Sequence, residues 1–528
     1  MTWIKPLPQH HFDIAILGAG LAGNLLARQL KQTFPHLTVG LFEKHATTSF
    51  KVGESTVEIT GDYLIRRLGL EHYLTDHHIV KNGLRFFFDQ ENHQAPLTEM
   101  SEIGGIEKPF FKAFQLDRSR LEADLLQMNQ EDGVELHMGS RVFDIQLNSD
   151  SISHKFSVET AKKNWNVECR WFIDASGRSS ILAKQQNLRI PEADHTLAAV
   201  WGRFKNVTNL DTLGPEKFQQ RVHGTSRQTS TTHFCYPGYW IWFIPISQDI
   251  VSVGVVMERT SAWKKTLRKA DGFLDFLKQH HAAWSLLRES SLLDIGSFQH
   301  LTYGTKQFFS QHRWGLTGES AAFTDPFYSP GSDFIALEND LLTNLIRRDE
   351  EEGASAEHFK NLVDRSNAYM HFRYEASMRL YRNLYSLFGS YELLKLKWQL
   401  DFPSYYHIWL SEFMQDLHLN EEFLIEKVRE QQPVLNALAN FSHLFKKVEQ
   451  HLHDTKSFYR GNLGNFTNAV EGVEWLEEVG QPQTPRQFFS RLHEIFNSCQ
   501  EQANQLLGTS ETVKPLPLAH FLTLRSSA

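Results

Sequence analysis

The sequence predicts an α/β (α+β) fold, Rossmann-like at its N-terminal end, with an inserted β-sheet and a helical C-terminal region. Three observations carry this reading. "FDIAILGAGLAGNLLARQL", residues 12–30, is a short apolar strand, a glycine-rich turn and a helical pattern in succession. "YWIWFIPIS", residues 239–247, is apolar on both faces of an extended segment, which places it inside a covered sheet. From about Leu337 onward the periodicity is mostly helical. At 528 residues the chain exceeds what one core usually spans. We expect a module over 1–340, with discontinuous subdomains, and a helical region over 341–528.

In chain order, Phe12–Leu17 is the first strand. Gly18 makes a tight turn, Gly20 lets a pyrophosphate approach the backbone, and Gly23 brings helix and strand together, with Leu21 and Ala22 at the helix start. The next apolar strand, "LTVGLFEK", ends at Glu43, about twenty residues on, where a carboxylate accepts hydrogen bonds from a ribose. These features point to a dinucleotide and leave its identity open. "CRWFIDASGRSS" reads as a buried strand ending at Asp174, Ala175, Ser176 and Gly177, and "RWGLTGESAAF" as strand, turn and helix start at Gly318-Glu319. In "YWIWFIPIS", Trp240 and Trp242 share one face and Ile241 and Phe243 the other. "YEASMRLYRNLYSLF" places Tyr374, Met378, Tyr381, Tyr385 and Phe388 on one helical stripe, a core seam or a wall for a flat apolar ligand. Tyr405, Tyr406 and Trp409 offer the same alternatives.

Composition narrows the class. With 41% hydrophobic and 22% charged residues the chain is an ordinary globular protein, and a net charge of -8 gives no general attraction to nucleic acid or anionic membrane. Three cysteines, Cys169, Cys235 and Cys499, lie far apart, without disulfide or zinc spacing. Among 26 histidines the pairs His77-His78 and His280-His281 are adjacent and lack ligand spacing, so no metal is expected. No secretory leader is read at the N-terminus and no apolar run is long enough to span a bilayer; the cytoplasm is the expected location.

The order of these segments, with "FQLDRSRLEADLL" carrying Asp117-Arg118 ahead of a helix, resembles the flavoprotein-hydroxylase type of FAD-binding fold, which favours FAD over NAD. The resemblance implies contacts to FAD from Gly18, Gly20, Leu21, Ala22, Gly23, Glu43, Arg118, Asp174, Gly177, Gly318 and Glu319, although the family usually has Asp where Glu319 stands. Trp240-x-Trp242-x-Ile244-Pro245 matches the tryptophan-x-tryptophan-x-isoleucine-proline signature of the flavin-dependent halogenases. "FTDPFYSPG", Phe323 to Gly331, fits the F-x-x-P-x-x-S-x-G spacing that this family carries beside the flavin ring. "KVGEST", Lys51 to Thr56, followed by Lys81-Asn82-Gly83-Leu84-Arg85-Phe86, resembles the family's V-G-E-[AS] segment and its lysine-led strand.

The resemblance assigns specific roles. Lys51, Val52, Gly53, Glu54 and Ser55 form a flavin-side loop, Trp240, Trp242 and Pro245 a barrier beside the flavin, and Pro326, Ser329, Gly331 and Ser332 the flavin-ring and halide segment. Reduced FAD from a separate reductase, oxygen, and chloride or bromide yield hypohalous acid, which Lys81 directs onto an electron-rich aromatic; Lys51 ranks second for that role. Two positions depart from the pattern. Tyr328 stands where tryptophan halogenases have a glutamate, which turns the expected substrate toward a phenol, pyrrole or polyketide-derived ring, free or tethered to a carrier protein. Pro330 has no N–H to offer a halide, leaving Gly331 and Ser332 to do so. The alternatives are a monooxygenase, desaturase or reductase of the same fold, or an FAD-binding protein acting through its helical region. A homodimer is compatible with the sequence.

Overall fold

The computed structural model describes residues 9–148, 153–259, 265–353, 357–509 and 515–525. The reading of the extreme N-terminus as leader-free falls partly on residues 1–8, outside those described. Phe12 to Leu17 forms the core of strand Gln9–Leu17, buried between parallel neighbours Val39–Glu43 and Asn164–Asp174. An eight-stranded sheet grows from it, in the order Phe309–Ser310, Trp314–Leu316, Asn164–Asp174, Gln9–Leu17, Val39–Glu43, Glu135–Met138, with His154–Glu159 paired to the long strand and Arg141–Gln146 paired to His154–Glu159. Helix Leu21–Thr33 packs against helices Arg118–Glu131 and Gly331–Glu352. Asp117 caps the former by accepting from the amides of Ser119 and Arg120, satisfying donors that have no partner within the helix.

The second sheet has nine strands, and Tyr239–Pro245 lies within it, antiparallel to both Thr231–Tyr236 and Ile250–Glu258. Its two faces enter separate cores. Trp240, Trp242 and Ile244 pack with Phe327, Tyr385 and Phe388, while Ile241 and Phe243 pack with Val253, Val255 and Phe273. Gly254 makes room for this wall: a Cβ there would lie 2.4 Å from the Trp242 ring and 2.6 Å from Trp201 Cβ. Gly254→Ala is therefore expected to destabilise the fold by about 1–3 kcal/mol through overpacking. The check is a lowered denaturant midpoint at unchanged slope, and wild-type stability would show that the tryptophans can yield.

Three local outcomes differ from the sequence expectations. Gly318–Ser320 is a single 3-10 turn closed by Thr317 and Ser320, and the α-helix starts only at Gly331, after Pro326 and Pro330 have interrupted it. The aromatic stripe from Tyr374 to Phe388 is not one helix: Glu357–Arg379 ends, Asn383 takes a left-handed φ of 62°, and Tyr385–Gly389 is 3-10. Lys81 precedes its strand, which begins at Leu84.

The C-terminal region is largely helical, with Tyr391–Ser404, Gln431–Asp454 and Pro485–Leu506 as long members. It also gives the second sheet a parallel edge strand, Phe466–Asn468, beside Ser101–Gly104. Helix Gly331–Glu352 runs across residue 340. Among the described residues no helix is long and apolar enough to cross a membrane.

Candidate functional site

Two cavities flank the start of helix Gly331–Glu352. The smaller, about 150 Å³, is lined by fourteen residues singled out from the sequence: Leu21, Val52, Gly53, Glu54, Ser55, Arg118, Trp240, Trp242, Gly318, Glu319, Pro326, Ser329, Gly331 and Ser332. The larger, about 580 Å³, has mostly apolar walls from the helical region, including Trp398, Tyr405, Tyr406 and Trp409, and carries Lys81 and Tyr328. Such a volume suits a drug-sized organic molecule.

The remaining sequence-predicted residues lie outside both cavities. Gly18 and Gly20 form the turn into helix Leu21–Thr33, whose N-cap Gly20 has no side-chain cap, and Ala22 and Gly23 lie in its first turn. Glu43 accepts from the amides of Ala19 and His45. Lys51 is ion-paired with Glu122 at 2.6 Å, and a Cβ on Gly20 would lie 3.7 Å from its Nζ, so it sits beside the glycine turn and away from Lys81's cavity. Asp174 is fully buried and ties its loop by accepting from the amides of Ser176 and Leu182. Gly177 comes next, in the 3-10 turn Gly177–Ser179. Pro245 is paired with Val251 at the end of its strand.

Lys81 stands between the cavities. Its amide donates to Ala113 O and that of Asn82 to Thr229 O, which fixes the backbone. The side chain is 2% exposed; Nζ donates to Ser55 Oγ at 3.0 Å and Thr56 O at 2.7 Å. Ser329 Oγ donates to the same Ser55 Oγ at 3.1 Å, and Ser329 holds a left-handed φ of 60° in a turn closed by its amide on Pro326 O. The three segments that the sequence offered separately, Lys51–Thr56, Lys81 and Phe323–Gly331, thus meet at one hydroxyl. Burial lowers the Lys81 ammonium to about 8, while the charges of Glu58 and Asp333 oppose the shift. His233, stacked on Phe86 and lining the smaller cavity, is held neutral, at about 3, by burial and then by the Lys81 charge.

Two carboxylates beside Lys81 were missed from the sequence. Glu58, on the short helix Glu58–Asp62, and Asp333, in the first turn of Gly331–Glu352, both line the larger cavity. Asp333 accepts from the Thr60 amide, Thr60 Oγ1 and Tyr405 Oη, and burial raises it to about 7 against those hydrogen bonds. Glu58 accepts from Tyr406 Oη at 2.7 Å and is also raised by burial, with Tyr406 and Lys81 opposing. The available signal was an acid in each of the apolar contexts "TVEIT" and "GSDF", immediately beyond the "KVGEST" and "FTDPFYSPG" motifs.

Comparison with known proteins gives this geometry its setting. Residues 11–272 match the family of FAD binding domains. The chain is 29% identical to the flavin-dependent halogenase chlA of Dictyostelium discoideum over 64% of its own length and 60% of that protein's. It is 22% identical to a 1H-pyrrole-2-carbonyl-[peptidyl-carrier protein] chlorinase of Pseudomonas fluorescens, over 68% of this chain and 81% of that one. The halogenase PltM, solved with phloroglucinol and FAD, superimposes with a TM-score of 0.66 at 17% identity, covering 93% of this chain and 96% of that one, which shows a shared fold. The chain carries an FAD binding domain and is, in sequence and in fold, a relative of the flavin-dependent halogenases.

Proposed function

We propose that this chain halogenates an electron-rich aromatic small molecule, using reduced FAD, oxygen and chloride or bromide, with Lys81 delivering the halogen. One observation carries the reading: Lys81 lines the larger cavity while its Nζ is hydrogen-bonded to Ser55, a residue of the smaller one. A group so placed faces an oxidant arriving from one side and an organic ring held on the other.

The residues present fit FAD. Helix Leu21–Thr33 has an uncapped N-terminus behind a glycine turn, a ready site for a pyrophosphate. Glu54 is buried beside the smaller cavity with Oε1 making no hydrogen bond, 3.5 Å from Arg203 Nη2, so polar capacity is left there for a ligand. Gly18 to Gly23, with Glu43 and Lys51, would hold the nucleotide end; Val52 to Ser55, Arg118, Gly318, Glu319 and Pro326 would hold the ring end. Bound reduced FAD would supply, with oxygen and halide, hypohalous acid.

The remaining steps fall to the chain's own groups. Gly331 and Ser332 bear the first amides of a 22-residue helix and line the smaller cavity; they would bind the halide that Pro330 cannot. Trp240 and Trp242 occupy the space a ring would need there and confine it to the larger cavity. Lys81 hydrogen-bonds the hypohalous acid. In the transfer the ring carbon gains the halogen, the halogen–oxygen bond breaks, and the ring proton and hydroxide leave as water. The substrate is a small aromatic, with a carrier-tethered ring as a second reading favoured by the carrier-protein chlorinase among the relatives. A diffusing reductase supplies the reduced flavin.

Incubation with a reduced-flavin supply, oxygen, bromide or chloride and a panel of phenols, pyrroles and indoles is expected to give halide-dependent mass shifts. Oxygenated products without halogen would replace this reading by a monooxygenase.

A further inference from the structure

The larger cavity holds two carboxylates, and their surroundings differ. Both oxygens of Asp333 are occupied: Oδ1 takes the Thr60 amide at 2.9 Å and Thr60 Oγ1 at 2.6 Å, and Oδ2 takes Tyr405 Oη at 3.0 Å. Glu58 has one side-chain donor, Tyr406 Oη on Oε1. Beyond Tyr406 and its own backbone amide, no group among the described residues donates to the Glu58 carboxylate. Burial makes both carboxylates more basic, so access separates them: both oxygens of Asp333 are taken by donors from neighbouring residues, whereas Glu58, which lines the cavity, has one oxygen that no neighbouring residue occupies. The charged and titratable groups that face Glu58 are Lys81, Asp333, Tyr405 and Tyr406. The neighbouring tyrosines restrict its orientation: Tyr406 holds Oε1, and Tyr405 joins the amide of Ile59, the next residue of the same short helix, to Asp333.

We propose that Glu58 is a catalytic residue, the base that takes the proton from the ring carbon as the halogen is installed; this rests on the halogenation reading above. The carbon–halogen bond forms as the halogen–oxygen bond breaks, and the departing hydroxide takes a proton from the Lys81 ammonium to become water. The ring C–H bond then breaks, its electron pair restores aromaticity, and its proton goes to Glu58 Oε2. Return of that proton to Lys81 resets both groups, so one ring C–H and one hypohalous acid become one ring C–halogen and one water. Asp333 positions this arrangement by ordering Thr60 and Tyr405 and takes no proton itself.

The test uses the full chain with Glu58→Gln and Glu58→Asp. On a ring that the wild type halogenates, supplied in protiated and ring-deuterated form, the wild type should show no isotope effect on kcat. Glu58→Gln should lose at least about a hundredfold in kcat and acquire a primary isotope effect, because proton loss becomes rate-limiting; Glu58→Asp should recover part of the rate. A second readout needs neither FAD nor halide. 4-Nitrophenol bound to the flavin-free protein should ionise less readily in the wild type than in Glu58→Gln, seen in its visible absorbance, because the carboxylate repels a phenolate. Wild-type kcat in Glu58→Gln, a rate loss without an isotope effect, or equal ionisation of nitrophenol in the two proteins each overturns the proposal. If nitrophenol reports Glu58 while no ring is halogenated, the halogenation reading fails and the placement of Glu58 in the binding cavity stands.

Discussion

Lys81→Ala is expected to lower halogenation by at least about a hundredfold, measured with a thioether scavenger present so that free hypohalous acid does not react in solution. Flavin binding should be unchanged, since Lys81 lines the larger cavity and not the smaller. Lys81→Arg should not restore activity: the site is fitted to a compact ammonium donating to Ser55 Oγ and Thr56 O, and a planar guanidinium has neither that shape nor a titration in range. Stability should move the other way. The ammonium is at about 8 in the fold against an ordinary 10.5, so the unfolded chain binds more protons between those values. Wild-type stability from this group is therefore present above pH 10.5 and lost as pH falls through 8. At pH 7 the charged lysine costs up to about 3 kcal/mol, offset in part by its hydrogen bonds. Lys81→Met should accordingly be more stable than wild type at pH 7 and lose that advantage as pH rises toward 10.5, by denaturant titration at each pH. Full activity in Lys81→Ala, with scavenger, would remove the lysine from the mechanism. A stability loss in Lys81→Met at pH 7 would mean that its role is structural.

How much of this was legible depends on which forces are local. Strand Phe12–Leu17, the glycine turn after it and the strand that ends at Glu43 were readable as elements because a strand between parallel neighbours is largely apolar and a tight turn at positive φ needs glycine. The double-sided burial of Trp240 to Phe243 was readable from period two alone, and the structure puts each face in its own core. The helix start at Gly331 was missed because a glycine and an acid at 318–319 look like a helix beginning, while Pro326 and Pro330 decide where one can start. The break at Asn383 was hidden by an aromatic stripe whose spacing stays helical on either side of a residue in the left-handed region. Glu58 and Asp333 were illegible for another reason. What makes them matter is Tyr405 and Tyr406, more than 300 positions from Glu58, and burial that no local pattern encodes.

Gly18→Ala should weaken FAD binding by about a hundredfold, in a fluorescence titration of the flavin. Gly18 has a φ of +107°, and a Cβ there would lie 2.3 Å from Ala175 O. That carbonyl has nowhere to go: the Gly18 amide donates to Phe42 O at 2.8 Å and the Ala175 amide to Leu17 O at 2.8 Å, so the turn is clamped between the ends of three adjacent strands. Relief of the overlap has to come from the loop that leads into helix Leu21–Thr33, which displaces the uncapped amides at its start. Loss of about two charge-assisted hydrogen bonds to a pyrophosphate corresponds to that change in affinity. Gly464→Ala separates crowding from backbone strain, because Gly464 has a φ of +78° with open space around it and lies far along the chain in the helical region. It should cost some stability and leave FAD affinity unchanged. If Gly18→Ala binds FAD as the wild type does, the glycine turn is packing alone and the nucleotide lies elsewhere; if both variants lose flavin equally, general destabilisation is the cause.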